Sequence, residues 1–134
     1  MIQPNILITG ATGNVGSLLA GRLSALNMPF RALVRSQNNC AGLTKLPQAK
    51  IIIGDLADKN SLKEALQGIE KAFLLTNSSE QAEQLQLNFV DIAHNTGVKH
   101  IVKLSQFAAD INSPVRFLRY HAKVENRIKE LARE

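Results

Sequence analysis

The stretch "ILITGATGNVGSLLA", Ile6 to Ala20, decides how this chain is read. The apolar run "NILIT" (5–9) has the short, continuous character of a strand buried on both faces. Gly10, Gly13 and Gly16 follow as G-x-x-G-x-x-G. Behind them Val15, Leu18, Leu19, Leu23 and Leu26 recur at helical spacing, with Asn27 as the stop. Each glycine has a separate task in a strand–loop–helix unit. Gly10 lets the chain turn sharply off the strand. Gly13 leaves no side chain where a pyrophosphate would approach the backbone. Gly16, in the first helical turn, allows helix and strand to pack closely. The backbone N–H groups of residues 12–15 then point at an anion, and the helix dipole favours negative charge there. The other reading is a tight turn with no ligand; the strand before and helix after favour dinucleotide binding. A P-loop is excluded, because it needs Gly-Lys-Ser/Thr and the first lysine is Lys45.

The same alternation continues along the chain. "FRALV" (30–34), "KIIIG" (50–54), "KAFLLT" (71–76) and "HIVKLS" (100–105) read as further strands. Residues 36–49 are polar and loop-like. Ser61 with Glu64 is a capping-box pattern, opening a short helix that ends near Gly68. Ser79 to Asn95 is helical through Ala82, Leu85, Phe89, Ile92 and Ala93, with Gly97 beyond its end. Ser113-Pro114 starts a long amphipathic helix running to Glu134. Strands alternating with helices predict an α/β fold. The expectation is a Rossmann-like, doubly wound parallel sheet of about five strands in the order 3-2-1-4-5, with 1–134 as one domain.

Composition narrows the partners. The chain has 134 residues, 45% hydrophobic and 20% charged, as an ordinary globular protein does. No apolar run approaches the ~20 residues needed to span a bilayer. The N-terminus has no basic region before its first strand, and Cys40 is the single cysteine, so the expected compartment is the cytoplasm, with no membrane partner and no metal. The net charge is +5, and its location is informative. Residues 1–54 hold Arg22, Arg31, Arg35, Lys45 and Lys50 and no acid; the remainder balances. Such an excess suits nucleic acid or a phosphorylated small molecule. The 4% aromatic content argues against base-stacking platforms.

The second strand refines the ligand. An NAD site carries Asp or Glu near its end, gripping the ribose 2′-OH. Here Arg35 occupies that region and no acid precedes Asp55. An arginine pairs with a 2′-phosphate, so NADP(H) is expected ahead of NAD(H). Arg31, on the same strand face, is expected to add to the field. Arg35 as a plain surface charge is the alternative.

These segments together, "TGATGNVG", "ALVR", "GDLAD" with its following Ser61-Leu62, "FLLT" and "GVKHIVKLS", resemble the NmrA-like group of atypical short-chain dehydrogenases/reductases, over essentially the whole chain. The resemblance implies a Rossmann fold with NADP(H) as the usual ligand. It assigns the pyrophosphate to Gly10, Thr12, Gly13, Asn14 and Val15, and the 2′-phosphate to Arg35. It places Asp55 and Leu56 beside the adenine, and Leu75, Thr76 and Asn77 beside the ribose near the nicotinamide. Read from the residues alone, Asp55 serves equally well as a turn or helix-start acid.

Typical members of that superfamily use a serine after strand five and a Tyr-x-x-x-Lys pair on the next helix. Residues four apart share a helix face, so the lysine can lower the tyrosine's pKa and hold the ribose. Ser105 matches the serine. Tyr120, however, is followed four residues later by Val124, and Lys123 is out of register. NmrA-like proteins often lack the pair, so the departure fits the atypical branch and puts ordinary carbonyl reduction in doubt. The i,i+4 pair present is His121 and Glu125, a candidate acid/base with its orienting carboxylate. The competing reading places His121 on the buried stripe Phe117, His121, Val124, Ile128 and Leu131, and the spacing favours it. Tyr120 and Lys123 then read as a partly exposed tyrosine and a surface charge.

Members of the group continue into later strands and a substrate region. This chain stops at "IKELARE", where a sixth strand is expected. The fifth strand is therefore expected at an open edge, free to pair with a second copy or another chain, or left exposed. The leading expectation is an NADP(H)-binding domain whose chemistry, if it reacts, is hydride transfer between nicotinamide and a small carbonyl or quinone. The alternative is a non-catalytic NAD(P) redox sensor acting through a protein partner. Nucleic-acid binding ranks below both, since the phosphates of a dinucleotide account for the basic residues.

Overall fold

The computed structural model describes residues 4–38, 40–76, 80–104 and 109–132. Five short apolar segments become strands: β1 (Ile6–Thr9), β2 (Phe30–Val34), β3 (Ala49–Ile53), β4 (Lys71–Leu74) and β5 (His100–Lys103). They form one sheet in the order β3-β2-β1-β4-β5, with every pairing parallel. This is the doubly wound order read from the sequence. The crossovers are α1 (Asn14–Ala25), α2 (Ala41–Thr44), α3 (Lys59–Ala65) and α4 (Ala82–Asn95), and α5 (Arg116–Ala132) follows β5. Among the described residues no helix is long and apolar enough to cross a membrane.

Because strand side chains alternate, the sheet feeds two cores. Leu7, Leu33, Ala72 and Leu74 pack beneath α3, α4 and α5, with Leu62, Leu66, Phe89, Val90 and Val124. Ile8, Phe30, Ala32 and Val34 pack beneath α1 and α2, with Ala20 and Leu43. The second cover runs out toward β5. Ile8, Phe73 and Val102 lie level across three strands. Ile8 is fully buried, Phe73 is partly buried, and Val102 is 60% exposed.

Several local expectations needed correction. The periodic apolar residues of α1 and its end do not all face inward: Leu18 is 75% exposed, and Val15 and Leu26 are exposed too. Gly16, Ala20 and Ser24 face the sheet, with Leu19 and Leu23 packed beside them. The helix lies too close for larger groups, since a Cβ on Gly16 would stand 1.9 Å from the Gly10 carbonyl oxygen. The N-cap of α3 lies three residues before the expected one. Asp58 is its N-cap, its Oδ1 accepting from the N–H groups of Asn60 (3.0 Å) and Ser61 (3.3 Å). Ser61 is occupied elsewhere: its hydroxyl accepts from Asp55 N–H (3.0 Å) and lies against the Asp55 and Asp58 carbonyls. α5 begins at Arg116; the Ser113 hydroxyl accepts from Val115 N–H (3.1 Å) in the turn leading into it.

Candidate functional site

The strands all point their carboxyl ends to one edge, and the glycine loop sits at the middle of it, where the strand order reverses. Gly10 has φ 65°, in the left-handed region that glycine adopts without strain. A Cβ there would also meet the Leu75 carbonyl oxygen at 2.9 Å. Gly13 N–H donates to the Gly10 carbonyl (3.1 Å) and closes the turn. Gly13 is itself the N-cap of α1, in extended conformation, and no side chain caps the helix. There is no acidic residue in the first turn. A Cβ on Gly13 would touch only the Gly10 carbonyl, at 3.4 Å, so the space over it is open. Thr12, Gly13, Asn14 and Val15 are exposed around it. The first N–H groups of α1 thus face outward with the positive end of the helix dipole and no internal anion.

Thr9, which the sequence reading passed over, fastens this loop to β4. It is buried, its hydroxyl accepts from Leu75 N–H (2.8 Å), and its proton serves the carbonyl of Phe73 (3.1 Å) or Leu75 (3.0 Å). A polar residue closing an otherwise apolar strand was the available signal. Thr76, next along, accepts from Gln86 Nε2 (2.8 Å). Gln86 is 1% exposed in the middle of α4, and its Oε1 has no partner among the described residues. Its place among Ala82, Phe89 and Ala93 on the apolar stripe marked it as a buried amide. Asn77 lies outside the described residues.

Arg35 is exposed at the end of β2. In the loop behind it, Cys40 is buried and its thiol donates to the Ser36 carbonyl (3.2 Å). Arg31 does not join Arg35, contrary to expectation. Its Nη1 donates to the carbonyls of Ala65 (2.6 Å) and Gln67 (2.9 Å) at the end of α3, and burial lowers its pKa. Four strand residues, about 13 Å, separate the two arginines, beyond a Debye length of ~8 Å. Asp55 Oδ1 accepts from Ala57 N–H (2.9 Å), so the turn role accounts for one carboxylate oxygen. Asn88 Nδ2 of α4 reaches the Leu56 carbonyl at 3.4 Å.

At the far side of the edge, α5 sets His121 over the end of β5. His121 is 6% exposed, its ring 4.3 Å from that of Tyr120, and its Nδ1 is in contact with Lys103 Nζ. Burial lowers the His121 pKa first and the Lys103 charge lowers it further, while Glu125 opposes both. Lys103 is likewise lowered by burial and raised by Glu125. His121 is therefore buried, as the stripe indicated, yet its partner is an ammonium group. Tyr120 is buried rather than partly exposed, because its stretch of α5 faces inward. Lys123 is exposed and lies 3.8 Å from Glu83 of α4. Ser105 lies outside the described residues.

Known proteins share this sequence pattern and fold. The sequence model of the NmrA-like family matches residues 3–134. An NAD(P)H azoreductase of Xenophilus azovorans is 30% identical over 125 residues, covering 93% of this chain and 43% of that protein. The solved Citrobacter sp. triphenylmethane reductase complexed with NADP(H) superposes with a TM-score of 0.81 at 26% identity, over 94% of this chain and 45% of the other. An NADPH-dependent quinone oxidoreductase of Escherichia coli complexed with NADPH gives a TM-score of 0.81 at 29% identity, over 94% and 45% of the two chains. The chain spans less than half the length of these relatives.

Proposed function

The chain belongs to the NmrA-like family, and on that premise we propose that residues 1–134 form one dinucleotide-binding domain that takes NADP(H) in preference to NAD(H). The observation that carries this reading is the start of α1: uncapped, free of acids, and open above Gly13. Gly10, Thr12, Gly13, Asn14, Val15 and Gly16 would cradle the pyrophosphate through backbone N–H groups. Arg35 would pair with the 2′-phosphate, and Asp55 and Leu56 would flank the adenine. Leu75, Thr76 and Asn77 would line the ribose near the nicotinamide, with Thr76 held by Gln86. The relatives that hold NADP(H) support this assignment.

Once bound, the nicotinamide supplies hydride transfer to or from a small carbonyl or quinone. The chain's own part is to orient it and to offer polar groups beside it, for which Ser105, His121 and Glu125 are the candidates. The departure from Tyr-x-x-x-Lys, with Val124 four residues after Tyr120, favours as second reading a redox sensor that acts through a protein partner. Cytoplasmic residence and pairing of β5 with a second copy or another chain complete the proposal.

The test is a titration with NADPH and NADH of the wild-type chain and of Arg35→Ala. NADPH is expected to bind more tightly, and the variant to lose about tenfold of that preference, one paired charge-assisted contact. Equal wild-type affinities would remove Arg35 from its role, and binding of neither would reduce the glycine loop to a turn. A carbonyl and quinone panel with NADPH then separates enzyme from sensor.

A further inference from the structure

Lys103 ends β5 two residues after Ile101, which packs in the core beneath α4 and α5. Alternation therefore turns the lysine inward, under α5, instead of out to solvent. Its ammonium meets Nδ1 of His121, and it also donates to the Leu104 carbonyl at 3.4 Å. An ammonium has three donors and no acceptor, so the ring nitrogen it touches must offer a lone pair. Of the two groups, the lysine keeps the shared proton, because the ordinary pKa values stand about four units apart. We propose that Lys103 is a positioning residue that fixes His121 as the neutral tautomer protonated at Nε2. The ring then offers one N–H donor and no acid proton at neutral pH.

This rests on the reading that His121 belongs to the reacting end of the site, and it narrows what His121 does there. A neutral Nε2–H can hydrogen-bond a carbonyl or quinone oxygen as charge develops on it. The surrounding charges agree. On α5 itself Glu125 acts on the ring and Tyr120 stacks against it. On α4, Glu83 lies 3.8 Å from Lys123, and Asp91 is 2.9 Å from Arg127. Lys103, from β5, is the cation that touches the ring.

The test is a nitrogen-15 spectrum of the imidazoles across a pH titration, made on the wild-type chain, Lys103→Met and Lys103→Arg. At pH 7 the wild type should show His121 only as the Nε2–H form. Lys103→Met removes the cation and leaves Glu125, so the His121 pKa should rise, with loss of the single tautomer. Lys103→Arg should restore the wild-type pattern. An Nδ1–H wild-type ring, or an unchanged titration in Lys103→Met, overturns the proposal. Should the methionine variant fail to fold, the wild-type tautomer alone decides. NADPH binding is scored separately, so failure of the cofactor reading and failure of this one give different results.

Discussion

Helices α1 and α3 both start at the carboxyl edge of the sheet, and they treat the same physical problem in opposite ways. Each exposes N–H groups that no preceding turn can satisfy. α3 carries its own anion, since Asp58 accepts from two of those groups and the helix start is complete in itself. α1 places Gly13 at the equivalent position, with no side chain, no acid and open space. A residue that caps costs nothing to the fold, so an uncapped helix start beside a tight glycine turn points to an anion from outside. One helix is finished by the chain; the other is left open for the proposed dinucleotide.

The comparison can be broken in three ways, from the largest expected effect to the smallest. Gly16→Ala forces a methyl to within 1.9 Å of the Gly10 carbonyl oxygen, and only backbone movement relieves it. A loss of about 3 kcal/mol is expected, a fall in Tm of roughly 10 °C by calorimetry. An unchanged Tm would mean that α1 does not sit as closely as described. Gly13→Asp gives α1 the cap that α3 already has. Its backbone is extended and its Cβ space open, so thermal stability should hold or rise slightly. NADPH affinity should drop by about a hundredfold, because a carboxylate would stand where the phosphate is proposed to bind. Retained affinity would sink the cradle. Asp58→Ala removes the internal anion of α3. The expected cost is about 1 kcal/mol in denaturant unfolding, with NADPH affinity unchanged. A matching loss of affinity would show that the two helix starts are not independent.

The glycine loop could be read from sequence because its role is carried by what glycine lacks. A residue without a Cβ at three fixed positions, between strand and helix, turns the chain and leaves room for a close neighbour, and does little else. The sheet order was equally accessible, since parallel strands buried on both faces read as apolar runs. Side-chain networks were harder. Ser61–Glu64 matched a capping motif, yet Asp58 stood three residues earlier and took the role, while the Ser61 hydroxyl went to the Asp55 backbone. Arg31 and Arg35 share a strand face in sequence terms, but Arg31 found two carbonyls at the end of α3. The leucines of α1 recur at helical spacing, but the close approach at Gly16 gave the innermost place to small residues, with Leu19 and Leu23 beside them and Leu18 exposed. Lys103 was within reach of the reading, since it alternates with Ile101. Its partner on α5 depends on helix placement, which no local pattern encodes.

Cys40 gives the Arg35 loop a timekeeper. The thiol is the only one in the chain, and it is shut away behind a bond to the Ser36 carbonyl, five residues after Arg35. A reagent can reach it only when the packing around the thiol opens, so its rate of modification would report that opening. Nature has left a single chemical clock beside the residue expected to tell two nucleotides apart, and it runs without any label being added.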